Sequence, residues 1–263
     1  MNKYWVIILL FGIGIHSVSF AQKKQKKNAN TPKLTENFFG FQFKPIIPFR
    51  YVGDQTLQLN KDQFESTIKP TFGYYYGGVV RVGLTKLLAL ETGISYVRRN
   101  YNIEYRVPDS NLVAKEKIGF VSFEVPLDLL VYIRLGQQFY MNVSGGMSGN
   151  FNPSNVRSPK PINPSDKHLF IFEGRRLHFF DFNVNANIGF EYRTEKAGIF
   201  YLGISTRIPL SYKLYVATEY RYDTQKVVAF NRIRGSVFGF DVKYFFPNLR
   251  KKESPFMRGP IEN

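Results

Sequence analysis

The chain has 263 residues, a formal net charge of +16, no cysteine, 26 Phe and 17 Tyr. Without cysteine there is no disulfide scaffold, no thiolate metal site and no lipid-modified cysteine anchor. The length suits one domain after any leader is removed. So basic a balance calls for anionic surfaces; in an exported chain these are lipids or acidic partners rather than nucleic acid.

The first segment has the layout of a secretory signal. Lys3 precedes an apolar run from Trp5 to Ile15, and Ser19-Phe20-Ala21 sets small residues at the −3 and −1 positions. The run is too short to span a bilayer comfortably, so residues 1–21 are predicted to be a signal peptide cleaved before Gln22. A polar leader with Lys23, Lys24, Lys26, Lys27 and Lys33 follows over residues 22–37. A second basic stretch, residues 248–263, carries Arg250, Lys251, Lys252 and Arg258. Both are expected to be periplasmic tails flanking one domain over residues 38–247.

That domain reads as a series of two-residue alternations. A first strand sets Phe39, Phe41 and Phe43 against Gly40, Gln42 and Lys44. The next sets Phe72, Tyr74, Tyr76, Val80 and Val82 against Gly73, Tyr75, Val79 and Arg81. Then Leu88, Leu90, Ile94 and Tyr96 oppose Glu91, Ser95 and Arg99. Phe123, Val125, Leu127, Leu129, Val131 and Ile133 oppose Glu124, Asp128 and Arg134, and Phe139, Met141, Val143 and Met147 oppose Asn142, Ser144 and Ser148. The clearest is Phe180 to Arg193, with Phe180, Phe182, Val184, Ala186, Ile188, Phe190 and Tyr192 on one phase. Its other phase is Asp181, Asn183, Asn185, Asn187, Gly189, Glu191 and Arg193. Phe200, Leu202, Ile204 and Ile208 oppose Ser205 and Arg207; Phe238, Phe240, Val242 and Tyr244 oppose Asp241 and Lys243. Successive strand side chains face opposite ways, so each segment has one apolar and one polar face.

The connections alternate too. Thr85-Lys86, Gly136 to Gln138 and Thr194 to Gly198 are short, whereas Tyr51 to Ile68, Ile103 to Lys117, Phe151 to Leu177 and Lys213 to Asn231 are long and read as polar or irregular. An all-β, eight-stranded, antiparallel up-and-down transmembrane barrel with both termini in the periplasm has this spacing. A soluble sandwich has no reason to sort its loops by length.

The run Gly119 to Asn150, GFVSFEVPLDLLVYIRLGQQFYMNVSGGMSGN, together with LLALETGISY ending at Tyr96, resembles the PorT-like outer-membrane β-barrel proteins of Bacteroidota. The resemblance implies a barrel in the outer membrane. Its name-giving member serves the type IX secretion and gliding apparatus, so it also implies an accessory role in an envelope machine.

Thirteen charges fall on inward phases: Lys44, Arg81, Arg99, Arg134, Arg193, Arg207 and Lys243 against Glu91, Glu124, Asp128, Asp181, Glu191 and Asp241. A barrel of eight strands is just wide enough to be filled by its own side chains. Near-equal acids and bases are therefore expected to pair as a structural network. Glu124 and Asp128 lie about 13 Å apart along a strand, too far to share a proton. His168 and His178 carry no serine at a motif spacing. No catalytic, cofactor-binding or metal residue is assigned. Arg157, Lys160, Lys167, Arg175 and Arg176, in the third long connection, are candidate outer-surface anion contacts, lipopolysaccharide among the partners. The expected protein is a non-enzymatic barrel that works with other envelope proteins and binds no nucleic acid. The alternatives are a barrel enzyme at the outer rim and a narrow channel or carrier.

Overall fold

The computed structural model describes residues 37–48, 56–153, 155–161, 168–194 and 197–247, with residues 159–161 described by backbone alone. The segment predicted to be a signal peptide, the leader up to residue 36 and the basic stretch from residue 248 lie outside the described residues. Among the described residues there are thirteen strands: β1 (Phe38–Pro48), β2 (Leu57–Lys61), β3 (Phe64–Gly83), β4 (Leu88–Val107), β5 (Leu112–Arg134), β6 (Phe139–Phe151), β7 (Val156–Pro161), β8 (His168–Arg176), β9 (Phe180–Thr194), β10 (Gly198–Pro209), β11 (Leu214–Tyr222), β12 (Gln225–Ile233) and β13 (Val237–Phe245).

Eight of these close a ring in the order β1-β13-β10-β9-β6-β5-β4-β3, and β1 pairs with β3 to complete it. All ring pairings are antiparallel. The eight predicted membrane strands are these eight, and their phases hold. Along β9, burial alternates without a break from Phe180 to Arg193. Phe39, Phe41 and Phe43 are exposed, while Gln42 and Lys44 are buried between them.

The outward apolar positions form a band with an aromatic belt at each edge, as expected of a lipid-facing wall. At the short-turn end, Phe39 stacks on Phe246 with ring centroids 6.0 Å apart, and Phe139 on Phe190 at 5.6 Å. At the other end, Tyr76 meets Tyr96 at 5.0 Å and Phe151 meets Phe180 at 5.3 Å. Between the belts lie aliphatic side chains such as Leu127, Leu129, Val143 and Ile188, all exposed.

The four long connections correct the sequence reading, which took them as polar or irregular. They are largely strand. β3, β4 and β5 run 20, 20 and 23 residues, well past the band, and β2 folds back on β3. β7, β8, β11 and β12 form a second sheet in the order β12-β11-β8-β7. Tight hairpin tips make this possible. Asp62, Asn111 and Asp223 take the left-handed conformation at φ 53°, 53° and 52° in the β2–β3, β4–β5 and β11–β12 turns. Asn and Asp are the non-glycine residues that tolerate it best. The run Leu169 to Phe172 lies in β8 and extends the structure; Phe170, Ile171 and Phe172 are buried.

The extension has its own apolar core. Leu59, Phe64, Ile68, Tyr105, Ile118, Phe120, Phe170, Phe172, Leu214, Val216 and Ile233 pack into one cluster above the barrel. Its centre is a stack of rings: Tyr105 lies on Phe170 at 4.9 Å and 4°, and both Phe64 and Tyr220 stack on Phe170. In β3, a register shift between Thr71 and Tyr74 changes which residues face inward, from Gly73 and Tyr75 in the barrel to Phe64, Ser66 and Ile68 in the extension. A bulge adds one residue to a strand and so moves its pleat by one.

Candidate functional site: the barrel interior and its rim

The barrel interior is built in layers. Nearest the short turns, Phe38, Val79, Ile199 and Phe245 form a small apolar floor, with Ala89, Leu130 and Tyr132 beside it. The charged layer is interleaved with them: Arg81 pairs in register with Phe38 and Arg193 with Ile199. Farther along, Ile46, Tyr75, Val97 and Val237 form another apolar layer, and the extension core lies beyond.

The charged layer has two foci. In the first, Arg81 bridges Glu91 at 2.7 Å and also Glu191, and its guanidinium lies 4.2 Å over the Phe245 ring. Glu91 also accepts from Lys243; Glu191 accepts from Arg193 at 2.5 Å and from Asn142 at 3.3 Å. The Arg193 guanidinium faces the rings of Tyr140 and Tyr132 at 4.6 and 4.9 Å. In the second focus, Lys44 pairs with Asp241 at 3.2 Å and Arg207 with Glu124 at 3.1 Å. Asparagines and serines complete the coordination. Asn183 donates to Glu124 at 3.0 Å, Asn185 to Asp128 at 2.9 Å, and Ser205 to Asp241 at 2.7 Å. Tyr201 donates to Asn187, and an added Cβ at Gly189 or Gly203 would collide with its hydroxyl. Those two glycines are what let the phenol lie across the wall.

Most predicted network residues therefore meet. Arg81, Glu91, Glu124, Asp128, Asp181, Glu191, Arg207, Asp241 and Lys243 are all buried, as are Lys44, Arg99 and Arg193. Arg134 is a correction. It keeps the inward phase of Tyr132, but it is the last residue of β5, exposed at the rim, and its Nε donates to the Gly136 carbonyl at 2.9 Å. Phase gives the direction of a side chain; it does not say whether the wall still surrounds it.

Lys213 is the member that sequence reasoning missed. It is buried just past β10 and pairs with Asp181 at 2.5 Å, while Asn150 and Asn152 also donate to Asp181. Its place in an assumed loop hid it. The odd-numbered inward phase of Tyr201, Ser205 and Arg207, continued four residues past Pro209, would have found it. The buried cations are then Lys44, Arg81, Arg99, Arg193, Arg207, Lys213 and Lys243, against six acids. Arg99 instead donates to Ser122 at 3.0 Å and Tyr75 at 2.8 Å.

The candidate surface anion contacts do not gather into one site. Arg175 pairs with Glu173 at 2.7 Å; Arg176 lies 3.6 Å over the Phe179 ring and donates to the Pro153 carbonyl. Arg157 is exposed and sits opposite Glu173 in the β7–β8 register. Lys167 lies outside the described residues, as does the side chain of Lys160. The histidines also stay apart: His168 opens β8 and meets the Tyr220 hydroxyl at 2.7 Å, whereas His178 lies beyond the far end of that strand. Among the described residues, no group of three or more His, Asp or Glu side chains is placed to hold a metal.

A closed ring of eight strands, lipid-facing outside and packed with paired charges inside, is the structure of an integral outer-membrane barrel. The chain belongs to the outer membrane protein β-barrel domain family, whose profile matches residues 12–215, and it is therefore a protein of the outer membrane. Among solved structures it is similar to the outer membrane protein OprG from Pseudomonas aeruginosa, at 9% identity and a TM-score of 0.46, over 81% of this chain and 96% of that one. No curated protein matches it.

Proposed function

We propose that this protein is a non-enzymatic structural or accessory subunit of an envelope machine, and that its working surface is the folded extension rather than the lumen. The observation behind this reading is the filled interior. Six of the seven buried cations are ion-paired, and apolar clusters are packed among them. Opening a route through them would mean separating buried pairs, at several kcal/mol for each charge left behind. An extension with its own aromatic core, held rigidly beyond the membrane band, suits a docking platform. The resemblance to PorT-like proteins points the same way, towards a secretion complex of the type IX kind. The signal peptide and an orientation with the short turns and both termini in the periplasm belong to this reading; the extension then faces outward.

Affinity purification of the tagged protein from its native membrane, after mild cross-linking, tests it. The expected outcome is one or a few envelope proteins recovered in near-constant ratio. A protein recovered alone, with hydrolytic activity towards lipid or peptide, would replace this reading with that of a rim enzyme.

A further inference from the structure

The outward face of β3, β4 and β5 beyond the aromatic belt carries lysines in register. The pairing places Lys69, Asn102 and Lys117 in one cross-strand row and Thr67, Glu104 and Lys115 in the next. These six residues line one concave surface. Lys69, Lys115 and Lys117 are exposed. Glu104 is shared between Arg106 at 3.3 Å and Lys115 at 3.5 Å. Glu116, also in the lining, turns its carboxylate to Tyr105 and Ser158. Among the described residues, Lys69 and Lys117 have no ion-pair partner.

The same face runs down into the membrane band. Arg98 lies four residues below Asn102 on β4, about 13 Å by strand rise, and pairs in register with Tyr74. Its Nε donates to Asn100 at 3.2 Å. Gly119 leaves the room for this, since an added Cβ there would lie 3.0 Å from that Nε and 2.9 Å from the Asn100 Oδ1. Tyr74 lies level with Arg98, the rings of Tyr76 and Tyr96 come below it, and the exposed Phe72 sits just above. From the bilayer outward the order is therefore Tyr76 and Tyr96, then the Arg98 guanidinium at the outer edge of the aromatic belt beside Tyr74 and Phe72, then three ammonium groups with one acid among them.

We propose that this face binds the phosphorylated headgroup of an outer-leaflet glycolipid of the lipopolysaccharide type. Its acyl chains would lie along the aromatic band. Arg98 meets the phosphate nearest the bilayer, and Lys69 and Lys117 meet the anionic group a sugar or two farther out. Basic groups held at two heights, Arg98 below and the row of Lys69 and Lys117 above, match a lipid phosphorylated at two levels, whereas a single-phosphate lipid would use Arg98 alone. The proposal rests on the extension facing outward, and that is tested separately by labelling Gln63→Cys, at an exposed hairpin tip, with an impermeant thiol reagent on intact cells.

The binding experiment uses the purified full-length protein in detergent, with bisphosphorylated lipid A and its dephosphorylated form as probes, read by native mass spectrometry. The double variant Lys69→Glu, Lys117→Glu should bind the phosphorylated probe more weakly, on the order of tenfold or more, because each basic group at such a surface contributes on the order of 1 kcal/mol. The variant Arg157→Glu, Arg175→Glu makes the same change in net charge elsewhere on the extension and should bind within about twofold of the parent. Both sets are exposed, and heat-modifiable gel mobility confirms that each variant folds. Equal losses in the two double variants, or equal binding of the dephosphorylated probe, would overturn the proposal. So would loss of an acidic protein partner from the lysine variant while lipid binding stays intact. Failure of Gln63→Cys to label would remove the orientation without touching the result in detergent.

Discussion

At the scale of single residues, the interior is organised by acids most of which serve more than one partner. Glu191 accepts from Arg81, Arg193 and Asn142, and none of the three donors is exposed. Glu191→Gln keeps the shape but leaves two buried guanidiniums short of a counter-charge. Removing one member of a buried pair costs roughly 3–5 kcal/mol, because the desolvation of the other is no longer offset. The variant should therefore unfold from detergent at a clearly lower urea concentration. Arg134→Gln, at the rim, should stay within about 0.5 kcal/mol of the parent. Similar midpoints for the two variants would mean that Glu191 is not a centre of the network.

At the scale of elements, the eight membrane strands were legible because each separates two environments. Lipid on one face and a packed polar lumen on the other force alternation, which is why β9 shows it from Phe180 to Arg193. The extension strands carry no such constraint. Phe170, Ile171 and Phe172 of β8 are buried in succession, so the two-residue period vanishes there. In β3 the bulge between Thr71 and Tyr74 shifts the inward phase within one strand. Lys213 was lost because it lies past the end of its strand in a segment read as loop, and Arg134 was gained wrongly because phase says nothing about where the wall stops. The hairpin tips at Asp62 and Asp223 carry Asp-Gln and Asp-Thr instead of the Asn-Gly or Asp-Gly pair that marks a two-residue turn, so no turn signal pointed to β2 and β12. The extension should also be separable in stability from the barrel. Phe170 is fully buried in the aromatic stack, and Phe→Ala at such a site costs roughly 3–5 kcal/mol. Phe170→Ala should open the extension to protease while the barrel keeps its heat-modifiable gel shift, since structural units open at different free energies. Loss of the gel shift along with protease resistance would show instead that the two form one cooperative unit.

At the scale of the whole molecule, the layers decide what the barrel can pass. A ring of this size leaves an interior just wide enough for its own side chains. Here Arg81, Glu91, Glu191, Arg193 and Lys243 fill one level, and Lys44, Glu124, Arg207 and Asp241 the next. Ions crossing this layer would have to displace partners from charges that are 0–5% exposed at their side chains. The apolar cluster of Ile46, Tyr75, Val97 and Val237 packs against the second level, Tyr75 in register with Lys44 and Val237 with Arg207. Reconstituted in planar bilayers, the protein should show no steady single-channel current above the lipid baseline. The double variant Arg81→Ala, Glu191→Ala removes both members of one pair in the first focus and vacates volume there, leaving Arg193 without its counter-charge. It should still conduct little, because the second focus and the apolar layer remain. A stable, ohmic conductance from the parent protein would contradict the filled lumen and move the function from the extension to the pore. Conductance appearing in the double variant alone would place the seal at Arg81 and Glu191, and would make the outer layers permeable.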